Sequence, residues 1–313
     1  MIETSLTGVF PRSEKLVTAT RASVRGNLPE ASVNQVLEED IKSLISLQNR
    51  AGFDSLVDGQ LNWQDLFRPF SEIFTGIEPG GLVRWFDNNA FYRKPIITQK
   101  VAYRGDQLTK YFRADLLPRG GRRKAILPGP FTFALMSENR THSVASDLVD
   151  DLAHSLKDAV KQLRSLGYED FQYDEPCLCE SNRTQADLQI AKQGLETCAQ
   201  GRGLLQTYFG DAGRSIDNFL DYPVEALGVD LYSTPLDSLK GHTCNKALVC
   251  GCVDGRNSLL ESPNQLKDIV HQLRDELEPP NIRIAPNCSL EFLPYPVAEK
   301  KVNLLGKSRT LVP

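Results

Sequence analysis

The segment DFQYDEPCLCE occupies residues 170–180 and joins the end of a buried strand to two adjacent carboxylates. The strand pattern ends at Tyr173. Asp174 and Glu175 follow, and Pro176 then breaks the strand. In a barrel of alternating strands and helices, the carboxyl ends of the strands carry the chemistry. The segment therefore predicts either a functional barrel face or carboxylates that merely cap or salt-bridge a loop, and the two interpretations stay open.

Apolar, β-rich segments alternate with helical patterns through most of the chain. Apolar residues at helical spacing predict helices over 32–51 and 144–166, and the aromatic-rich residues 82–98 indicate an excursion. Strands are predicted at 7–11, 54–58, 97–103, 124–128, 170–174, 203–208, 227–232, 247–253 and 282–286. Further helices are predicted at 185–200, 214–220, 262–277 and 295–305. Strands separated by helices of this length indicate βα units in a parallel sheet.

The strand count, about eight or slightly more, favours a closed (β/α)8 TIM barrel over an open doubly wound sheet. No G-x-G-x-x-G motif follows the first strand, which argues against a dinucleotide-binding fold and against NAD. The composition shows no break and no segment of low complexity. The sequence therefore predicts one barrel domain over residues 1–313.

Composition and charge exclude several classes of function. With 41% hydrophobic and 24% charged residues the chain is typical of a soluble globular protein, and a net charge of −4 gives no indication of nucleic-acid binding. No apolar run approaches the roughly 18–20 residues that span a bilayer. The N-terminus lacks a signal-peptide pattern, so we expect a cytoplasmic protein with no membrane partner. Seven cysteines, an odd number, indicate reduced thiols.

If the barrel closes, the polar residues that end its strands share one face. They are Pro11-Arg12, Asp58-Gly-Gln60, Pro128-Gly-Pro130, Asp174-Glu175, Tyr208-Phe-Gly-Asp211, Asp230, Asp254-Gly-Arg-Asn257 and Asn287-Cys288. Polar groups at six or more strand ends exceed what an arbitrary barrel would carry. The pattern favours a binding or catalytic mouth, although periodicity alone does not prove that the groups converge.

Cysteine and histidine positions give weak signals of a metal site. Cys288 follows the last predicted strand, where a thiolate can ligate zinc, but a small buried residue is the commoner case. Cys177 and Cys179 form one C-x-C pair. Cys250 and Cys252 form another within an apolar strand, where burial is favoured. The four histidines fall in predicted helices or loops, so no histidine general base is visible.

Two further segments have open interpretations. Arg256, within Asp254-Gly-Arg-Asn257, offers a planar fork to a ligand carboxylate or forms a salt bridge across the barrel mouth. The segment WFDNNAFY, residues 85–92, stacks a flat ring or packs a subdomain, and packing is favoured.

Together these segments resemble cobalamin-independent methionine synthase over nearly the whole chain. The matching pieces are Gly8–Arg12, Leu56–Gln60, Trp85–Tyr92, Thr207–Gly210, Leu227–Asp230, Gly251–Asn257 and Ala285–Leu290. That family has two related (β/α)8 barrels. Its C-terminal barrel carries catalytic zinc, which its N-terminal barrel has lost. From about residue 200 onward the chain is most similar to the N-terminal barrel.

The resemblance implies roles for several substrate-binding positions. Asp174 and Glu180 occupy the positions that clamp the ammonium group of homocysteine in the catalytic barrel. Gln60 replaces a substrate-binding glutamate, and Gly8 with Val9 replaces the glycine-serine pair that meets the carboxylate. Arg12, Lys15 and Arg21 are candidate contacts for a folate polyglutamate tail, although the family's basic motif there is not reproduced.

The resemblance also implies an incomplete zinc site. Tyr208 and Gly210 stand at the family's His-x-Cys positions, Asp230 stands at its glutamate, and Cys288 matches its distant cysteine. Arg256 stands where the family has its catalytic histidine. Two plausible ligands are too few for tetrahedral zinc, so zinc is possible here but not expected.

Three functions follow from the resemblance. In the first, the chain is the non-zinc half of a methionine synthase. It helps methyl transfer from a 5-methyltetrahydrofolate-type donor to homocysteine, beside a separate zinc-bearing barrel and without cobalamin. The second is a self-sufficient methyltransferase with an altered metal site or another thiol substrate. The third is a non-enzymatic barrel that binds an amino acid or a pterin.

Overall fold

Eight parallel strands form the central sheet of the computed structural model, which describes residues 2–199 and 202–310. The strands of the described chain are β1 (Glu3–Thr4), β2 (Ser55–Leu56), β3 (Phe74–Arg84), β4 (Phe91–Tyr103), β5 (Arg122–Pro128), β6 (Glu138–Asn139), β7 (Asp170–Asp174), β8 (Arg202–Gln206), β9 (Ala226–Asp230), β10 (Ala247–Val253) and β11 (Ile282–Pro286). The central sheet has the order β1-β11-β10-β9-β8-β7-β5-β2. Its end strands meet where the Asp54 N–H donates to the Thr4 carbonyl over 3.1 Å. The predicted (β/α)8 barrel is confirmed, and it is nearly closed.

Each of the six predicted helices is present, with bounds that differ by a few residues. The α-helices of the described chain are α1 (Glu14–Val24), α2 (Glu30–Arg50), α3 (Phe70–Ile73), α4 (Leu108–Tyr111), α5 (Pro130–Leu135), α6 (Ala145–Ser165), α7 (Gln185–Cys198), α8 (Ile216–Leu220), α9 (Pro263–Leu277) and α10 (Tyr295–Ser308). The predicted last residue of α7, residue 200, lies outside the described residues. Helix α1 and the short helices α3, α4 and α5 were not predicted. The Ser13 side chain caps α1 by accepting a hydrogen bond from the Leu16 N–H over 3.1 Å.

Two predicted strands are wrong as barrel strands. The first barrel strand is β1, and residues 7–11 cross the carboxyl end of the barrel as a loop. A Cβ on Gly8 would lie 2.3 Å from Ser289 Oγ, so this loop passes too close to its neighbour for a side chain at that position. Residues 97–103 belong to β4 in a separate sheet of order β3-β4-β6. Both segments resemble barrel strands in sequence because their apolar residues are buried against the core.

The antiparallel pair β3–β4 is an excursion that lies beside the barrel mouth. Trp85 and Tyr92 are buried, and their rings pack edge-on against Phe67 at centroid distances of 5.6 and 5.4 Å. Edge-to-face aromatic pairs of this kind stabilise a fold beyond the area they bury. Packing, the favoured interpretation of residues 85–92, is therefore what these rings do.

The buried apolar residues of the described chain form one large core and one small cluster. The small cluster consists of Leu204, Ala226, Val249 and Ala285, with Ala247 against it, and it lies on strands β8 to β11. Polar residues Lys124, Gln172, Asp174 and Gln206 are also buried. Cys250 and Cys252 are fully buried, as their apolar strand predicted. Within the described ranges, every helix is too short or too polar to span a bilayer.

Candidate functional site

The carboxyl ends of the barrel strands enclose a narrow cavity beside β3–β4, which we call the mouth cavity. Asp174 ends β7, Gln60 lies after β2, and Tyr208 follows β8; all three line it, as do Ser289 and Glu291 after β11. Its other lining residues are Val9, Gln64, Asp65, Leu66, Trp85, Ala90, Phe91 and Tyr92. Several of the strand-end groups identified in the sequence therefore do come together.

Asp174 is the buried carboxylate of the mouth cavity, with 2% of its surface exposed. Its Oδ1 accepts a hydrogen bond from Gln172 Nε2 over 2.6 Å, and its Oδ2 accepts one from the Tyr208 hydroxyl over 3.1 Å. Burial raises the pKa of Asp174 from 3.8 to about 7, against these two hydrogen bonds and the charge of Lys124. The group is therefore poised to gain from a cation that enters the cavity.

Glu175 is directed toward helix α5 and does not line the mouth cavity. Its two carboxylate oxygens accept hydrogen bonds from the Phe131 and Thr132 N–H groups, over 2.9 and 2.6 Å, at the start of α5. A Cβ on Gly129 would overlap the Glu175 carboxyl, so the helix start and the carboxylate are in close contact. Glu175 therefore holds α5 against the end of β7, and its role is structural.

Gln60 has a buried side-chain amide with no partner in the described part of the protein. Only 3% of the residue is exposed, and neither Nε2 nor Oε1 has a hydrogen bond there. Its backbone adopts φ +54°, a region that non-glycine residues rarely occupy. Leaving a buried polar group without a partner costs about 1–3 kcal/mol. A strained, unsatisfied amide that lines a cavity indicates a ligand-binding position.

The structure places Glu180 away from the mouth cavity. It is exposed, and its carboxylate pairs with Arg183 over 2.8 Å rather than lining the cavity with Asp174. The Arg183 guanidinium lies over the Phe131 ring, 5.9 Å from its centroid. A clamp formed by Asp174 and Glu180 together stays a prediction, and the geometry gives Glu180 a surface ion pair instead.

The loop after β1 brings Gly8 and Arg12 close to the mouth in different ways. The Val9 N–H donates to Ser289 Oγ over 3.2 Å, so a hydroxyl lies beside the Gly8–Val9 backbone. Arg12 is exposed and lines an outer groove that meets the mouth cavity at Gln64. Within the described residues, no carboxylate lies within ion-pair distance of Arg12. Its guanidinium is therefore available to an anionic group in this groove.

The residues at the inherited metal positions do not fit a zinc ion. Asp230 accepts five hydrogen bonds, from the N–H groups of Phe209, Tyr232 and Ser233, from Ser233 Oγ and from Asn287 Nδ2. Burial, with Asp230 nearby, raises the pKa of the Cys288 thiol well above its ordinary value. Among residues 2–199 and 202–310 no group of three metal-ligating side chains could hold an ion. The oxygens of Asp230 are thus occupied by hydrogen bonds, and Cys288 is a buried, protonated thiol, so neither residue is suited to bind zinc.

Arg256 lies at the mouth against an aromatic ring. Its guanidinium stacks over Phe209, 5.2 Å from the ring centroid, and its Nη2 donates weakly to Ser233 Oγ over 3.4 Å. Phe209 itself has φ +67°. Asp254 accepts only the Arg256 backbone N–H, and within the described chain no ion pair joins the two side chains. The salt-bridge alternative for Arg256 is therefore not formed among the described residues, and the guanidinium stays open to an anion.

Sequence reasoning missed the roles of Tyr208, Ser289 and Glu291. Tyr208 was noted only as a lost zinc position, yet its hydroxyl binds Asp174. Ser289 and Glu291 follow the last strand by three and five residues. Their position just after a barrel strand could have indicated a role in the site, because the loops after the strands form the active sites of barrels.

Comparison with known proteins identifies the family. Residues 75–278 match the family described as "Cobalamin-independent synthase, N-terminal domain". The chain belongs to this family. It is 25% identical to a methionine synthase of Saccharolobus solfataricus, over 96% of this chain and 92% of the relative. It is 27% identical to a methionine synthase of Thermococcus kodakarensis, over 97% and 92%.

Solved structures of the family have the same fold. A B12-independent methionine synthase from Shewanella sp. W3-18-1, in complex with selenomethionine, superposes with a TM-score of 0.80 at 16% identity. The match covers 99% of this chain and 97% of that one. A putative vitamin-B12-independent methionine synthase from Listeria monocytogenes gives 0.79 at 14% identity, over 99% and 98%. The resemblance to cobalamin-independent methionine synthase is therefore confirmed for family and fold.

Proposed function

We propose that this chain serves methionine biosynthesis by holding homocysteine in the mouth cavity during methyl transfer from a methylfolate-type donor. The observation that carries the proposal is the unsatisfied amide of Gln60 beside the buried carboxyl of Asp174. Asp174 pairs with the ammonium group of the amino acid, and Gln60 Oε1 accepts one of its hydrogens. The Shewanella relative, crystallised with selenomethionine, is an amino-acid complex of the same fold.

Methyl transfer to homocysteine needs both substrate orientation and thiol activation, and we assign these two roles to different proteins. Methyl transfer forms the S–CH3 bond, breaks the donor's N–CH3 bond, and moves the thiol proton to the donor nitrogen. In this family zinc keeps the thiol as a thiolate, but the donor set around Cys288 and Asp230 does not fit zinc. We therefore assign the thiol activation to a separate zinc-bearing barrel. This chain, one domain over residues 1–313, contributes substrate orientation.

Arg12 and its outer groove suit the donor rather than the amino acid. A folate-type donor carries carboxylates on its tail, and the Arg12 guanidinium has no ion pair within the described chain. Arg256, stacked on Phe209, is the second open guanidinium at the mouth. Both would bind anionic groups that approach from outside the cavity. We place the protein in the cytoplasm, where such donors and homocysteine are found.

One observation favours the self-sufficient alternative. The archaeal relatives named methionine synthase are matched over 92% of their own length, so proteins of about this size bear that name. If this chain acts alone, methionine forms from homocysteine and a methyl donor without a second protein. Its thiol would then be activated by residues other than a complete zinc set.

A binding and reconstitution experiment tests the proposal. We expect L-homocysteine and L-methionine to bind the wild-type protein in calorimetry, and Asp174→Asn to weaken both about tenfold or more, because a charge-assisted hydrogen bond contributes about 1.5–3 kcal/mol. Glu225→Gln, which removes one exposed charge at the other end of the barrel, is the matched control. Methionine formation should require an added zinc-bearing barrel. Absence of amino-acid binding would refute the proposal, and formation by the chain alone would favour the alternative.

A further inference from the structure

We propose that Glu291 is a further substrate-binding residue, which supplies the second carboxylate of the ammonium site in the mouth cavity. The inference rests on the proposed function and extends it to a residue with no assigned role. Gln60 contributes an uncharged amide to this cavity, and Asp174 contributes one carboxylate. Glu291 adds a second negative charge and further acceptor oxygens for the three N–H groups of a primary ammonium.

The backbone fixes Glu291 at the cavity. It lies in the short 3-10 helix Leu290–Phe292 after β11, and its N–H donates to the Val9 carbonyl over 3.0 Å. The neighbouring Ser289 hydroxyl accepts the Val9 N–H, so two hydrogen bonds tie this turn to the loop after β1. The turn that carries Glu291 is therefore held in place by hydrogen bonds as part of the cavity lining.

The Glu291 carboxylate is the uncommitted acid of the cavity. Asp65 also lines it, but its oxygens accept the N–H groups of Phe67, Arg68 and Arg93. Asp174 uses both oxygens on Gln172 and Tyr208. For Glu291 the described residues provide neither a side-chain hydrogen bond nor an ion pair. Solvent reaches the residue at the mouth, so a ligand can reach it as well.

Electrostatic effects locate this carboxylate near the other groups of the site. Asp174 and Glu291 both raise the pKa of the buried Tyr208 hydroxyl, after the larger effect of burial. The pKa of Glu291 is itself raised by enclosure and by Asp65, and Arg12 opposes the rise. Glu291 also raises the pKa of the Cys288 thiol, after larger effects that begin with burial. Asp65, Asp174 and Glu291 line the same cavity, so a cation bound there would interact favourably with all three.

The lining of the cavity defines the class of ligand. Three acids line it, namely Asp65, Asp174 and Glu291, while no lysine or arginine does among the described residues. Trp85 and Tyr92 provide aromatic faces and edges beside these acids. Aromatic rings favour a cation and also pack well against an apolar or sulfur-containing chain. The site therefore suits a primary amine with a short thiol or thioether side chain.

Calorimetry with two ligands tests the role of Glu291. L-Methionine carries the ammonium group, and 4-(methylsulfanyl)butanoate is the same molecule without it. We expect Glu291→Gln to weaken L-methionine binding on the order of tenfold, which corresponds to one lost charge-assisted hydrogen bond. Affinity for the butanoate should not fall. Glu291→Asp, which keeps the charge, should retain most of the affinity, and Glu225→Gln should retain all of it.

A double variant that moves the carboxylate from position 291 to position 60 gives the decisive comparison. In the double variant Gln60→Glu/Glu291→Gln the carboxylate moves across the cavity, and we expect L-methionine affinity to recover to near the wild-type value. If the wild type binds L-methionine and Glu291→Gln binds it equally well, the inference is wrong while the proposed function stands. If the wild type binds neither L-methionine nor L-homocysteine, both are wrong.

Discussion

The Tyr208 hydroxyl donates a hydrogen bond to Asp174 Oδ2 over 3.1 Å, and both groups are buried at the barrel mouth. The resemblance implied that Tyr208 stands where catalytic relatives have a zinc-binding histidine. In this chain the side chain at that position therefore holds Asp174, the carboxylate that we propose binds the substrate.

Tyr208→Phe should separate this orientation from simple packing. The ring remains, but Asp174 loses one of the two hydrogen bonds that favour its charged form, so its pKa rises further. We expect weaker L-methionine binding at pH 7 and partial recovery at pH 8, where more of Asp174 is ionised and the ammonium group of the ligand is still protonated. Calorimetry at the two pH values measures this. Equal loss at both would show that the hydroxyl acts only through packing.

Gln60→Leu should stabilise the ligand-free protein while abolishing binding. The buried amide has no partner in the described chain, so its removal relieves about 1–2 kcal/mol of unsatisfied polar burial. Gln48→Leu is the matched control. The Gln48 amide donates to the Leu44 and Val57 carbonyls and accepts the Val57 N–H, so this change should destabilise. Urea unfolding of both variants measures the contrast, and a destabilised Gln60→Leu would contradict it.

Stability should pass through a minimum near neutral pH. The pKa values of Asp174 and Glu175 are raised to about 7 by burial, so between about pH 4 and 7 the folded state holds more protons than the unfolded state. The free energy of unfolding therefore falls as pH rises through this range. Burial lowers the pKa of Lys124 to about 7, so the unfolded state holds more protons between about pH 7 and 10, and stability rises again.

Urea unfolding at pH 5, 7 and 9 measures both limbs. Each unbalanced proton contributes up to about 1.4 kcal/mol per pH unit. Asp174→Asn should reduce the slope below pH 7 by the contribution of one proton, since Glu175 remains, and should leave the slope above pH 7. Lys124→Met should do the reverse. A slope below pH 7 that is unchanged in Asp174→Asn would show that Asp174 is ionised throughout.

The purified protein should contain substoichiometric zinc. Asp230 is engaged by five hydrogen bonds, and the Cys288 thiol stays protonated in its buried position. Elemental analysis after dialysis against zinc provides the measurement, with Cys288→Ala as the comparison. One zinc per wild-type chain that is lost in Cys288→Ala would overturn the division of labour proposed above.

The barrel could be predicted because its signals are local. Helices such as α6 and α9 show their apolar faces in the spacing of residues, and β7 ends visibly at Asp174 and Pro176. The first barrel strand was predicted at residues 7–11 instead of at β1. Residues 7–11 are apolar because they are buried in a loop, and they do not form a strand. They pack across the mouth, against Ser289 and Gly59, which are far away in sequence.

The site was only partly predictable for the same reason. The sequence alone determined the (β/α)8 class and singled out Asp174 and Gln60 as candidate site residues, because strand ends and family motifs consist of consecutive residues. Only the tertiary structure decided that Glu180 turns to Arg183, that Tyr208 binds Asp174 and that Glu291 stays uncommitted. Those outcomes depend on which polar groups meet across different strands, and burial makes each such pairing decisive.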